Sequence, residues 1–297
     1  MTAAGMRSFD LWGVPYDGAA TLGWPGSKYA PERVRQALGW MAMRVQEGRI
    51  YSSDTRSLHA FDEGLLRDRG DAEVVAHDLM ATLDACAAAV ADSVRQGRLP
   101  LVIGGDDSLL YGCLKGFHDA HEGTIGILHF DAHLDLLDES RTQGRYSQSS
   151  GMRRALELPR VSVRHSIQVG VRNFNFPSSG HFIEESGLAQ LPASDFARLG
   201  VEGAVHVILA RLDGADHVFW AFDIDVVDPA FAPGAGAHEP GGLTSRDVLE
   251  CVRLLAPHCE GFNIVEVNPL MDHHDMTSVL AANLAYQMVV FGQKAAP

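Results

Sequence analysis

Short apolar runs rich in β-branched and aromatic residues alternate along this chain with longer stretches whose apolar positions recur at helical spacing. The runs Phe9–Val14, Pro100–Ile103, Thr124–Phe130, Ser166–Val171, His217–Phe222 and Gly261–Val267 are predicted strands. Between them, Pro31–Leu38, Asp71–Gln96, Ser108–Phe117, Gly180–Gln190, Ser245–Leu255 and Ser278–Val290 are predicted helices. Thr244 and Ser245, followed by Asp247, mark a helix start, because a hydroxyl can satisfy the orphan amides of a first turn. Several of these apolar, β-rich segments run straight into glycine or aspartate, the signature of a parallel sheet in an α/β fold. In such sheets, sites form outside the carboxyl ends of the strands, where the loops converge.

The alanine-rich stretch from Val74 to Val94 is interrupted by His77, Asp78 and Asp84, which makes it a core-facing helix and not a membrane span. The chain has 297 residues, 46% of them hydrophobic, which suits one large core and a single domain over 1–297. Its formal net charge of −14 excludes nucleic acid and anionic membrane surfaces as partners and favours a cationic substrate. Cys86, Cys113, Cys251 and Cys259 show no CxxC spacing and are too few for a disulfide framework, and the segment Met1 to Asp10 has no signal-peptide core. A cytoplasmic location is expected.

Three strand ends carry the chemistry. Asp131-Ala132-His133-Leu134-Asp135 follows the strand ending at Phe130, and a spacing of two in an extended segment would turn all three polar side chains to one side. Asp223-Ile224-Asp225 follows the strand ending at Phe222 and repeats that device, with Asp228-Pro229 beyond it. Gly104-Gly105-Asp106-Asp107-Ser108 follows Ile103, and its glycines are expected to allow a sharp turn into the next helix. Taken singly, Asp107 or Ser108 could be a helix N-cap and the Asp223–Asp225 pair a solvated turn. Together they form an oxygen-rich set with one imidazole, suited to manganese or another hard divalent ion. The long connections Asp135–Gly151 and Asp228–Gly242 are further candidates for function.

GGDDS, DAHLD, FDIDVVDP and Glu266-Val267-Asn268-Pro269 resemble the signature blocks of the ureohydrolase family, which contains arginase, agmatinase, guanidinobutyrase and formiminoglutamase. The resemblance extends to the opening VPYDGAATLGWPGSKYAPERVRQAL and the closing TSVLAANLAYQMVV, nearly the whole chain. It implies an arginase-like, three-layer α/β domain with a mainly parallel central sheet flanked by helices. It further implies that Asp107, Asp131, His133, Asp135, Asp223 and Asp225 hold two Mn2+ per chain (nickel or another divalent ion being an alternative) bridged by hydroxide. Glu266 would orient a small guanidino or amidino substrate, and Asp135 would carry a proton to the leaving amine. Such proteins assemble as trimers or hexamers, so a homo-oligomer is expected.

Two departures stand out. The family block reads GGDHS where this chain has Asp107, which adds one negative charge while keeping a ligand. With Asp107, five carboxylates, a neutral imidazole and a bridging hydroxide against two divalent cations leave two negative charges, one more than histidine would leave. The loop after DAHLD also lacks the family's His-Gly pair; Gln148 or Ser150 stands in its place, and His238 is a further candidate substrate contact or proton carrier. Leu136-Leu137 offers little to an α-amino acid end, which favours an agmatinase-like role over arginase, with formiminoglutamase chemistry an alternative. A metal-poor, non-catalytic partner subunit is the rival of a different class, and a Rossmann-type nucleotide binder fails for want of a GxGxxG pattern.

Overall fold

A computed structural model describes residues 6–20, 23–62 and 64–295. Met1 to Gly5 of the amino-terminal segment, and Thr21 and Leu22 of the opening block, lie outside the described residues. In chain order the elements are β1 (Phe9–Gly13), α1 (Ala30–Ala42), β2 (Arg49–Ser52), β3 (Ser57–Ala60), β4 (Leu66–Asp71), α2 (Leu79–Arg95), β5 (Leu99–Ile103), α3 (Leu109–Ala120), β6 (Ile125–Phe130), α4 (Gly151–Leu156), β7 (Ile167–Val169), α5 (Pro177–Ser186), β8 (Ala189–Leu191), α6 (Ala193–Leu212), β9 (His217–Asp223), α7 (Ser245–Leu255), β10 (Gly261–Val265) and α8 (Met276–Gly292). Eight strands form one sheet in the order β4-β1-β5-β10-β9-β6-β7-β8, and every pairing in it is parallel. β2 and β3 form a separate antiparallel hairpin.

Because successive strand residues point to opposite faces, the apolar runs feed two cores. Leu128, Phe130, Trp220, Phe222 and Phe262 join α1, α6, α7 and α8 on one face. Ile125, Ile127, Phe219 and Val102 join α2, α3 and α4 on the other. The result is the expected single α/β domain: a parallel sheet between two helical layers. Among the described residues, no helix is long and apolar enough to cross a membrane. All four cysteines are buried and free.

Local signals explain the element ends. Thr244 and Asp247 form a reciprocal capping box at the start of α7, as expected. α2 begins at Leu79, later than the pattern suggested, because Asp78 caps it by accepting the Ala81 N–H while Asp71 closes β4. α5 starts on Pro177 and stops at Ser186, since Gly187 takes the left-handed conformation and the chain then enters β8.

Candidate metal centre

Four neighbouring central strands, β5, β10, β9 and β6, deliver the acidic side chains from their carboxyl ends. The β5 loop passes against the segment after β1. A Cβ on Gly105 would come within 1.6 Å of the Tyr16 carbonyl oxygen, and neither Gly104 nor Gly105 has a positive φ. The glycines therefore serve close approach, not the sharp turn expected from the sequence. Asp106 turns away from the site and accepts N–H groups from Ala19 (2.9 Å) and Ser108 (3.0 Å); burial pushes its carboxyl up to about 6.

Asp107 is buried, and neither of its carboxylate oxygens has a hydrogen-bond partner. It is therefore not the N-cap that the sequence allowed; α3 starts from Ser108, which makes no side-chain cap bond either. The Asp107 backbone N–H donates to Glu266 Oε1 at 2.9 Å. Glu266 itself has φ 60°, and its N–H donates to the Gly105 carbonyl at 2.8 Å. A left-handed non-glycine residue is held there against its own preference, as at many functional sites.

The chain after β6 is not extended, which corrects the same-sided picture of the DAHLD segment. Asp131 Oδ1 accepts the His133 N–H at 2.5 Å, and Asp135 has φ 48°. The polar groups consequently divide in two. Asp131, His133 and Asp225 have ligand atoms within 4.8 Å of one another, and so do Asp107, His129 and Asp135. His133 Nδ1 lies 2.9 Å from Asp225 Oδ2 and 3.4 Å from Asp131 Oδ1. Asp223 Oδ1 accepts the Asp225 N–H at 2.8 Å, which folds the pair into a tight turn.

Electrostatics show what this packing lacks. Burial, then the neighbouring carboxylates, pushes Asp107, Asp135, Asp223 and Glu266 well above the ordinary carboxylate range. Burial alone would raise Asp131 as well, but His129 and His133 hold it low. Asp225 pushes His133 up to about 12, so an imidazolium supplies positive charge between Asp131 and Asp225. A set of buried, partnerless carboxylate oxygens beside an imidazole fits hard divalent cations, which need oxygen ligands and cancel this repulsion.

The site opens into a cavity of about 360 Å³ lined by Asp107, His133, Asp135, Asp223, Asp225 and Glu266 together with Leu134, Leu136, Leu137, Phe174, Phe176 and Ala237. Gln148 and Ser149 also line it; Ser150 and His238 do not. The Ser150 hydroxyl accepts the Ser147 N–H at 2.9 Å and donates to the Arg145 carbonyl at 3.0 Å, closing a capping box ahead of α4. His238 is exposed and donates from Nε2 to the Pro233 carbonyl at 2.7 Å.

Sequence reasoning missed His129, whose polar side chain inside an otherwise apolar strand was the available signal, and Phe174 and Phe176, which carried none. At the amino-terminal end of the sheet, His121, His217 and Glu260 also gather. There His217 Nδ1 and Glu260 Oε2 already hydrogen-bond at 2.5 Å, and the group reads as a hydrogen-bonded pair closed on itself.

The Arginase family model matches residues 7–290. The chain is 33% identical over 290 residues to the proclavaminate amidinohydrolase of Streptomyces clavuligerus, covering 95% of this chain and 88% of that one. It is 31% identical to the guanidinopropionase of Pseudomonas aeruginosa, covering 94% and 85%. The solved formimidoylglutamase of Bacillus subtilis superposes with a TM-score of 0.85 at 28% identity, covering 100% of this chain and 90% of that one.

Proposed function

This chain belongs to the Arginase family, whose members hydrolyse C–N bonds of amidino and guanidino compounds, and from that premise we propose an agmatinase-like hydrolase that releases urea from a guanidino substrate. The observation that carries this is the convergence of Asp107, His133, Asp135, Asp223, Asp225 and Glu266 on one cavity, with both Asp107 oxygens partnerless. Asp107, Asp131, His133, Asp135, Asp223 and Asp225 are the proposed ligands of two Mn2+. Such a cation pair, when bound, lowers the pKa of water into the neutral range and so supplies a nucleophile.

The chain's own residues do the rest. Glu266, buried and braced by the Asp107 N–H, is positioned to receive a guanidinium through charge-assisted hydrogen bonds. Asp135, held in a left-handed conformation at the cavity wall, is the proposed carrier of the proton to the leaving amine. Leu134 and Leu136, both buried, give the cavity an apolar wall that would limit bulk water around the reacting carbon.

Specificity follows from what the wall offers. Among the described lining residues there is no lysine or arginine, and His133 already faces Asp131 and Asp225, so a substrate carboxylate would enter an acidic, apolar cavity without a cationic side chain to spare for it. An amine-tailed guanidine such as agmatine avoids that cost. The test is a urea-release screen of manganese-loaded protein across agmatine, arginine, guanidinobutyrate and guanidinopropionate, with a formamide assay for formiminoglutamate. Highest kcat/KM on agmatine supports the proposal; highest kcat/KM on a carboxylate-tailed compound refutes the specificity, and near-stoichiometric absence of bound metal refutes the mechanism. A trimer or hexamer belongs to the same proposal and is checked by light scattering.

A further inference from the structure

We infer that His129 is a positioning residue whose Nε2–H group is turned toward Asp131 by a ladder of amides running across three strands. The inference rests on the metal-site reading above and assigns a role to a residue outside the proposed ligand set.

The ladder is built by register. His129 on β6 pairs directly with Gln168 on β7, and Gln168 with Gln190 on β8. All three therefore project from the same face of the sheet. His129 and Gln168 are fully buried. Ala221, the register partner of His129 on β9, leaves the ring room on its other side.

Hydrogen-bond direction then fixes the tautomer. The Gln168 Nε2 group donates to the Leu134 carbonyl at 2.7 Å, and a carbonyl can only accept, so the amide nitrogen must face that way. Gln190 Nε2 donates to Gln168 Oε1 at 3.2 Å and agrees with this orientation. The second Gln168 N–H points at His129 Nδ1, 3.0 Å away. His129 Nδ1 must then accept, and its ring proton must sit on Nε2.

That proton faces Asp131 Oδ2 at 3.2 Å, an approach that falls outside hydrogen-bond geometry, and neither atom has another partner. A ring nitrogen of His129 also lies within 4.8 Å of carboxylate oxygens on Asp107 and Asp135, where an imidazole could otherwise serve as a ligand. A ligand nitrogen must present a lone pair, and here the lone pair is turned toward Gln168. The ladder thus turns a ring N–H, not a lone pair, toward Asp131 Oδ2, while Asp131 Oδ1 accepts the His133 N–H. The same Gln168 amide pins the Leu134 carbonyl, midway between His133 and Asp135, so one buried glutamine steadies both halves of the centre.

The experiment uses the full chain loaded with Mn2+. Nitrogen hyperfine spectroscopy of the unmutated protein counts coordinated imidazoles, and Mn2+ titration gives affinity for wild type, His129→Phe and His129→Gln. One coordinated imidazole is expected in wild type, from His133. His129→Phe keeps the shape but loses the donor, and its Mn2+ affinity should fall roughly 10- to 100-fold. His129→Gln, whose amide nitrogen can stand where Nε2 stood, should recover most of that loss. Two coordinated imidazoles in wild type, wild-type affinity in His129→Phe, or no recovery in a folded His129→Gln would each overturn the inference while the metal centre stands. Failure of wild type to bind Mn2+ would remove the metal centre and this inference together.

Discussion

The Asp107 backbone N–H donates to Glu266 Oε1 at 2.9 Å, which ties the loop after β5 to the loop after β10 and aims both side chains into one cavity. Glu266 is thereby a brace as well as a charge, and the two roles separate on substitution. Glu266→Gln keeps an oxygen that can accept from Asp107 and removes only the charge. The expected result is a loss of roughly 100-fold or more in kcat/KM on a guanidinium substrate, carried mainly by KM. The metal-free variant should melt no lower than wild type, because a buried carboxyl crowded by Asp106, Asp225 and Asp131 has been neutralised. A matched loss of stability and activity would show that Glu266 acts only as scaffold.

Gly151 controls how closely α4 approaches Asp107. A Cβ there would stand 2.4 Å from Asp107 Oδ2 and 2.6 Å from the Asp107 carbonyl oxygen, contacts that force one of them aside. Gly151→Ala is therefore expected to displace the Asp107 carboxylate, lower metal content from two toward one per chain, and destabilise the fold by about 1–3 kcal/mol. Elemental analysis together with urea unfolding measures both. Full metal content in the variant would mean that Asp107 is not a ligand.

Asp107 replaces a histidine of the family pattern, and its charge has a consequence for acidity. With Asp107→His the site loses one negative charge, so the nucleophilic water ionises more easily and the acidic limb of the pH–rate profile moves to lower pH. An unchanged profile, with unchanged Mn2+ affinity, would show that position 107 is electrically silent.

How much of this was legible follows from what each residue's neighbours leave to chance. The central strands were legible because burial on both faces requires mostly apolar runs such as Ile125–Phe130 and Gly261–Val265, each interrupted by one polar residue. β4 was not, because LRDRGD is an edge strand whose Arg67 and Arg69 bind Asp10 on β1 instead of packing in a core. α6 was hidden by Gly200, which breaks the helical backbone with φ 67° inside the run. The acidic motifs could be read because spacing at strand ends constrains where the carboxylates arrive. Ser150 and His238 could not be placed that way: each finds a nearby backbone partner, and residue identity does not say that a hydroxyl will cap a turn or a ring will face a proline carbonyl. His129 is marked in the sequence as a polar residue within an apolar strand, but its role shows only once the strands beside it are known.

Far from the cavity, Asp10 ties the edge of the sheet together and gives the fold a distinct acid sensitivity. Its buried carboxylate meets Arg98 Nε at 2.6 Å, Arg67 Nη2 at 2.8 Å, Arg69 Nη1 at 3.0 Å and Ser93 Oγ at 3.0 Å. Burial by itself would raise the carboxyl, but the hydrogen bonds from Arg67, Arg98 and Ser93 outweigh it and hold Asp10 below its ordinary value. Asp10→Asn leaves three guanidinium groups facing a neutral amide, and breaking a buried charge cluster on one side costs about 3–5 kcal/mol. Because the folded-state value lies below the unfolded one, near pH 3.9, this contribution is complete above that pH and is lost as the pH falls through the folded value. The gap between wild type and Asp10→Asn in urea unfolding should thus be constant from pH 7 to about pH 5 and narrow steadily toward pH 3. If the gap were as wide at pH 3 as at pH 7, the Asp10 charge would not be what holds β1, β4 and the start of β5 in place.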